Sequence, residues 1–414
     1  MYGLLGEKLG HSFSKEIHES INNYIYNLIE VSKDDFNSFM NNKNFKAINV
    51  TIPYKEMVIP YLSQIDPKAK EIGAVNTIVN IDNKLYGYNT DYLGLKILIK
   101  KNNIDFKNKK VLILGTGGTS KTAYVLSNDL QAKQIKKVSR KESNETITYE
   151  QAVKKYNDAQ IIINTTPCGM YPNDDLIMDL SNFKELEAVI DVIYNPLKTN
   201  LIRQAEKKNI KSVNGLYMLV AQAVYASYIF INKQVDEKKI DEVYNKIKNK
   251  KLNISLIGMP SCGKTTISNL LGDRLNKKVI DTDLKIEERI NMKISSFLNK
   301  DNEDEFRNIE SNVIDEVSKQ NNIIISCGGG VIKKQQNIDY LRRNSIIIFI
   351  DRKLELLETT TSRPLSNNKQ DLEKLYIDRY PIYKKSCDYI IKNNDKLEDV
   401  ISKIIEVYNE NISN

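Results

Sequence analysis

Gly258-x-x-x-x-Gly263-Lys264-Thr265 is a complete phosphate-loop pattern, and it follows an apolar run, residues 253–257, that reads as a buried strand. Glycines let backbone amides curl round phosphate oxygens, the lysine reaches the terminal phosphates, and the following hydroxyl can bind Mg2+. Gly258, Gly263, Lys264, Thr265 and Thr266 are therefore candidates for holding ATP. A second glycine turn, Gly115-x-Gly117-Gly118-x-Ser120, lies between the apolar run 111–114 and a helix-like stretch. Gly115, Gly117 and Gly118 would let backbone approach a pyrophosphate, with helix-terminal amides aimed at it. The third glycine of the usual fingerprint is replaced by Ser120. The next strand-like run, 135–138, ends in Ser139-Arg140-Lys141, where an NAD site would place an acid on the ribose 2′-hydroxyl. A hydroxyl and two cations suit a 2′-phosphate, which favours NADPH; an exposed basic loop is the competing reading. Only two histidines occur, His11 and His18, so acid–base chemistry beyond them must rest on Lys, Asp, Glu, Tyr or Arg.

Strand, glycine turn and helix, written twice, require α/β units with parallel sheets. The 414 residues leave room for two or three domains, and 41% hydrophobic against 28% charged residues excludes a disordered chain. The net charge of +8 is diffuse, and the basic runs 107–110 and 246–251 read as solvated surface, so no nucleic-acid partner is expected. Cys168, Cys262, Cys327 and Cys387 lie far apart, which excludes the usual zinc spacing and a disulfide framework. The amino terminus does not read as a signal peptide. The most apolar stretch, 216–231, contains Gln222 and is too short to span a bilayer, so a buried helix, no membrane partner and a cytoplasmic location are expected. Ile240, Val243, Tyr244 and Ile247 recur at helical spacing within 232–252, placing the linker near 249–252. Nothing in the sequence sets the oligomeric state.

The first half carries short polar clusters inside apolar segments: Ser12 and Ser14, Asn49-Val50-Thr51-Ile52-Pro53-Tyr54-Lys55, Gly73-Ala74-Val75-Asn76-Thr77 and Tyr88-Asn89-Thr90-Asp91. Asn and Thr in a strand-like run are poor core residues without partners. Together with Asn164-Thr165-Thr166-Pro167-x-Gly169-Met170 and Gly215-Leu216-x-Met218-Leu219-Val220-Ala221-Gln222-Ala223, these clusters resemble the shikimate dehydrogenase family over residues 1–248. Lys15 departs from the proline usual there. The resemblance implies NADPH-dependent reduction of 3-dehydroshikimate to shikimate, with Ser12 and Ser14 on the substrate carboxylate. It further implies that Thr51, Asn76, Asn89, Tyr194 and Gln222 hold the ring hydroxyls, and that Lys55 and Asp91 form the catalytic pair. Hydride delivery to a carbonyl leaves an alkoxide that needs a proton and a nearby positive charge, which this pair could supply.

In the second half, Asp281-Thr282-Asp283 ends a second strand-like run, and Glu305-Phe306-Arg307-x-x-Glu310, Ser326-Cys327-Gly328-Gly329-Gly330, Ser362-Arg363-Pro364-Leu365 and Arg379-Tyr380-Pro381-x-Tyr383 follow. In that order they resemble shikimate kinase over residues 249–414. The resemblance implies that Asp283, Arg307, Gly329 and Arg379 bind shikimate, that Asp281 and Thr265 serve Mg2+, and that Lys264 and a lid residue, Arg363, steady the transferring phosphoryl group. Asp351, after the apolar run 346–350, is the competing metal ligand; the family pattern favours Asp281. A second arginine to stack on adenine is not evident.

The expectation is thus a bifunctional enzyme that makes shikimate and then shikimate 3-phosphate from small-molecule substrates. Its fold would be α/β: a substrate lobe (1–100 with helices 215–248) and a Rossmann lobe (101–214), then a phosphate-loop kinase domain with a parallel sheet. A quinate-type dehydrogenase joined to another small-molecule kinase, and a non-catalytic scaffold, are the rivals. The basic tip at 139–141 opposes the first, and Lys55, Asp91, Lys264, Asp283 and Arg363 oppose the second.

Overall fold

The computed structural model describes residues 1–10, 12–298, 302–358 and 369–413. The chain divides into two compact units, Met1–Ile247 and Lys248–Asn414.

Two sheets build the first unit. Strands β1 (Tyr2–Gly6), β2 (Tyr26–Glu30), β3 (Ala47–Val50), β4 (Gln64–Ile65), β5 (Thr77–Ile81) and β6 (Lys84–Tyr88) assemble in the order β2-β1-β3-β5-β6-β4. Only β5 runs against its neighbours. Asp82 and Asn83, both in the left-handed region, turn it back tightly into β6. Leu5, Phe36, Ile48, Tyr54 and Ile78 form the core on one face. On the other, Leu4, Tyr26 and Ala47 meet Ala226 and Phe230 of helix Leu216–Phe230, so the distant 216–231 run does fold as a buried helix, here on the first sheet.

The second sheet comprises β7 (Lys110–Leu114), β8 (Gln134–Ser139), β9 (Thr146–Thr148), β10 (Ile161–Asn164), β11 (Ala188–Asp191) and β12 (Lys211–Asn214). All pairs are parallel, in the doubly wound order β12-β11-β10-β7-β8-β9. In that order the connections reverse beside β7, and the crevice at a reversal is where such sheets bind ligands. Helix Gly118–Asp129 starts inside the glycine turn, because Gly117 already serves as its N-cap.

In the second unit, β13 (Asn253–Ile257), β14 (Lys278–Asp281), β15 (Ile323–Ser326), β16 (Ser345–Asp351) and β17 (Tyr389–Lys392) form one parallel sheet in the order β14-β15-β13-β16-β17. The three central strands, β15, β13 and β16, are mostly apolar and nearly all buried, as strands covered on both faces demand, whereas the edge strands β14 and β17 are partly exposed. The α/β class expected from the sequence is the class observed. Residues 249–251, expected as linker, are instead the last turn of helix Lys238–Lys251. Lys277 Nζ holds that turn by donating to the carbonyls of Asn249 (2.8 Å) and Leu252 (3.1 Å).

Candidate functional site

In the first unit, the turn after β3 carries Lys55, whose carbonyl accepts from Val75 N (2.8 Å) and so ties it to the Gly73–Asn76 segment. Asn89 caps helix Thr90–Lys101 by accepting from Tyr92 N at 3.1 Å, which puts Asp91 in the first helical turn. Lys55 Nζ then donates to Asp91 Oδ2 at 2.5 Å, with the two side chains 15% and 10% exposed. A pair this shielded holds its geometry better than a surface ion pair. Asn89 Nδ2 donates to Ala74 O (2.9 Å) and approaches Thr122 Oγ1 (3.4 Å) on helix Gly118–Asp129.

Asn76 and Gln222 meet although 146 residues separate them. Asn76 Nδ2 lies 3.1 Å from Thr90 Oγ1 and 3.4 Å from Gln222 Oε1. Ser12 and Ser14 share a turn in which Ser14 N donates to Ser12 Oγ (3.2 Å), and helix Ser14–Ile21 forms with Lys15 in place of proline. Phe13 between them meets Tyr194 edge-on at 6.1 Å, and burial raises the Tyr194 phenol. Thr51 follows β3 directly, its amide donating to Leu5 O (2.9 Å).

The glycine turn adjoins this cluster. Gly115 sits at φ +115°, where a Cβ would come within 2.8 Å of Thr165 Oγ1, whereas the space beside Gly117 is open. Ser120, standing where the fingerprint has its third glycine, is fully buried and donates to Gly115 O at 2.7 Å, so it closes the turn. The Ser139 hydroxyl bonds within its own loop, donating to Lys141 O and accepting from Lys141 N (3.2 Å). Arg140 and Lys141 are exposed at the tip of β8. The turn and the exposed cations fit a dinucleotide with a 2′-phosphate.

In the second unit, a cleft of about 690 Å³ is lined by Lys264, Asp281, Asp283, Arg307, Gly329 and Arg379 among others. Gly258 and Gly263 adopt φ +152° and +95°, and helix Lys264–Leu275 starts immediately behind them, with Thr265 and Thr266 exposed in its first turn. Lys264 Nζ donates to Gly258 O and Met259 O, both at 2.9 Å. Asp281 Oδ2 accepts from Thr265 Oγ1 (3.3 Å) and Ser326 Oγ (3.2 Å), while its other oxygen caps helix Thr282–Ile290. Asp351 instead faces Tyr380 OH at 3.3 Å. No cluster of three or more metal-ligating side chains occurs among the described residues. One carboxylate beside one hydroxyl nevertheless fits Mg2+, which takes its remaining ligands from water and phosphate.

Arg307 is buried and donates through Nη1 to both oxygens of Glu310, at 2.9 and 2.8 Å. Burial lifts the Glu310 carboxyl above its usual range, against the opposing pull of Arg307. Arg379, 4% exposed, donates to Gly329 O at 2.8 Å. Its buried Nε and Nη2 find no partner among the described residues. Leaving two buried guanidinium donors unpaired is costly, and a carboxylate ligand would satisfy both. Gly330 must be glycine for Arg307 to pass, since a Cβ there would lie 2.2 Å from Nη1. Arg363 falls outside the described residues, as does most of the lid segment around it.

Several contributors carried no role in the sequence reading. Asn49 and Thr90 bind Asn76 from behind and beside, and their presence in apolar runs was the available signal. Thr282 Oγ1 receives Gly328 N (2.9 Å), and Tyr383 OH donates to Gly329 O (2.5 Å). Arg352, just past β16, brings Nη1 to 3.9 Å from where a Cβ on Gly263 would lie; only the fold reveals that approach.

Residues 4–78 match the family described as the shikimate dehydrogenase substrate binding domain, and residues 260–409 match shikimate kinase. An NADP(+) shikimate dehydrogenase from Clostridium perfringens is 38% identical over 273 residues, spanning 60% of this chain and 98% of the relative. That from Clostridium beijerinckii is 39% identical over 266 residues, with the same coverage. Among solved structures, shikimate dehydrogenase 1 from Peptoclostridium difficile is similar with a TM-score of 0.56 and 38% identity, over 59% of this chain and 97% of that one. A chorismate mutase/shikimate 5-dehydrogenase fusion protein from Clostridium acetobutylicum gives 0.57 and 36%, over 60% and 97%. A shikimate dehydrogenase in complex with NADP+ gives 0.52 and 30%, over 58% and 93%.

Proposed function

The chain belongs to the shikimate dehydrogenase family and continues into a shikimate kinase domain, and from that premise we propose how its residues divide two consecutive reactions. The protein is a bifunctional shikimate-pathway enzyme: it reduces 3-dehydroshikimate to shikimate with NADPH, then phosphorylates shikimate to shikimate 3-phosphate with ATP. We assign residues 1–248 to the first reaction, with 101–214 as the dinucleotide lobe, and 249–414 to the second.

The observation that carries the dehydrogenase assignment is the Lys55–Asp91 pair at 2.5 Å. NADPH supplies the hydride. As the C3 carbonyl becomes an alkoxide, the Lys55 ammonium lies at the developing charge and Asp91 keeps it oriented. The alkoxide then takes its proton from this pair. Ser12 and Ser14 hold the substrate carboxylate; Thr51, Asn76, Asn89, Tyr194 and Gln222 surround the ring. Arg140 and Lys141 hold the 2′-phosphate.

In the kinase half, Arg307 and Arg379 grip the carboxylate of shikimate, and Asp283 receives the proton of the attacking hydroxyl. Lys264 neutralises charge on the transferring phosphoryl group as the bond to the leaving oxygen breaks. Thr265 and Asp281 would hold Mg2+, which neutralises phosphate charge when bound. We place both reactions in the cytoplasm, where NADPH and ATP are made; four unpaired cysteines and the absence of a membrane-crossing helix among the described residues accord with this. Absorbance at the nicotinamide band with shikimate plus NADP+ or NAD+ tests the reading: rapid reduction of NADP+ supports it, and reduction of NAD+ alone, or of neither, contradicts it.

A further inference from the structure

We propose that Thr90 is a positioning residue that, with Asn76, locks the Gln222 side-chain amide so that it offers the substrate an N–H and never a carbonyl. The proposal rests on the assignment of Gln222 to the substrate site. It follows from the directions of the hydrogen bonds. Tyr26 OH can give its one proton to Asn49 Oδ1 (2.8 Å), which leaves Asn49 Nδ2 as donor to Asn76 O (3.2 Å) and Thr77 Oγ1 (3.1 Å). The backbone amide of Thr90 donates to Asn76 at 2.7 Å, and a backbone N–H cannot accept, so that atom of Asn76 is its oxygen. Asn76 Nδ2 is then fixed as the group 3.1 Å from Thr90 Oγ1 and 3.4 Å from Gln222.

Gln222 must answer that donor with its own oxygen. The Thr90 hydroxyl can donate to the same Oε1 at 3.3 Å as well as to Asn76 Oδ1 at 3.2 Å, and a reversed amide would set its NH2 against the NH2 of Asn76 and its oxygen against Leu219 O. Thr90 is fully buried and Asn76 and Gln222 nearly so, so water cannot relieve the mismatch. With Oε1 held, Gln222 Nε2 keeps two protons: one goes to Leu219 O at 3.0 Å, and the other has no acceptor in the network. An N–H is the group that can serve a dehydrogenase in both directions, because a carbonyl and a hydroxyl oxygen both accept.

The test is a double-mutant cycle in the full chain with shikimate and NADP+. Thr90→Val keeps the shape and removes the hydroxyl; it should raise KM for shikimate about tenfold, with kcat and KM for NADP+ little changed, and Thr90→Ser should restore it. In a Gln222→Ala background, Thr90→Val should cost much less than it does alone, because Thr90 acts chiefly through Gln222. Gln222→Glu keeps the held oxygen and loses the N–H, so its KM should rise as far as that of Gln222→Ala; this arm stands even if Thr90→Val fails to fold. Additive effects of the two substitutions, or a native KM for Gln222→Glu alongside a raised KM for Gln222→Ala, would overturn the proposal. A native KM for Gln222→Ala would overturn the site assignment beneath it.

Discussion

Lys55 lies against the first turn of the dinucleotide helix: its Cδ is 3.3 Å from the point where a side chain on Gly118 would begin. The ammonium beyond that stem is held at 2.5 Å by Asp91, so one residue touches both the glycine turn and the Asp91 carboxylate. Lys55→Ala should therefore lower kcat by about 10²–10⁴-fold while KM for shikimate changes far less, because the charge matters most in the transition state. Steady-state kinetics check this, and a raised KM with native kcat would remove Lys55 from the chemistry.

Cofactor choice should rest on Arg140 more than on Ser139. The Ser139 hydroxyl already bonds to both backbone groups of Lys141, whereas Arg140 projects into solvent. Arg140→Ala should raise KM for NADPH about tenfold and leave NADH unaffected, while Ser139→Ala should act weakly. Equal losses with both cofactors would show that this tip does not discriminate.

Acid should destabilise the first unit through His18. It is fully buried, stacked on Tyr26 at 4.0 Å and bonded through Nδ1 to Tyr24 OH, and burial lowers its pKa to about 3. The folded protein keeps this histidine neutral down to pH of about 3, whereas the unfolded chain takes up a proton below pH of about 6.5. The stability it supports is thus complete above pH 6.5 and lost as pH falls towards 3, by up to about 1.4 kcal/mol per pH unit. Asp191, raised by burial to about 6, opposes this between roughly pH 4 and 6, because there the folded state holds the extra proton. A comparison with His18→Gln isolates the histidine: the urea midpoint of dehydrogenase activity should depend less on pH between 5 and 7 in the variant. Identical slopes would contradict the assignment.

Arg379 lines the kinase cleft, and two of its buried donors have no partner among the described residues. Arg379→Lys retains charge but not the fork, and should raise KM for shikimate in the kinase reaction at least tenfold, with KM for ATP and the dehydrogenase reaction unaltered. An equal rise in KM for ATP would move Arg379 to the nucleotide side.

Most of this architecture was legible because its signals are local. Strand β13 and the phosphate loop are contiguous in sequence, and an apolar run before glycines leaves few alternatives. What could not be read were partnerships across distance: Gln222 with Thr90 is a contact over 132 residues, and Arg352 meets Gly263 only because β16 lies beside β13. Ser120 illustrates a third case. It departs from the fingerprint in the sequence, and its buried hydroxyl fastens the turn, which only the fold shows. Residues 249–251 continue helix Lys238–Lys251, and the contact that holds that turn, Lys277 Nζ on Asn249 O, comes from a distant residue and so could not be read locally.

The two reactions share one oxygen, and that gives the most direct test of the account. A C3 ketone has no hydroxyl to attack the γ-phosphate, so the intact protein given 3-dehydroshikimate, Mg2+ and ATP should release almost no ADP. Adding NADPH should start ADP release, and Lys264→Ala should abolish that release while NADPH oxidation continues. Brisk ADP formation from 3-dehydroshikimate without NADPH would contradict the two-step assignment.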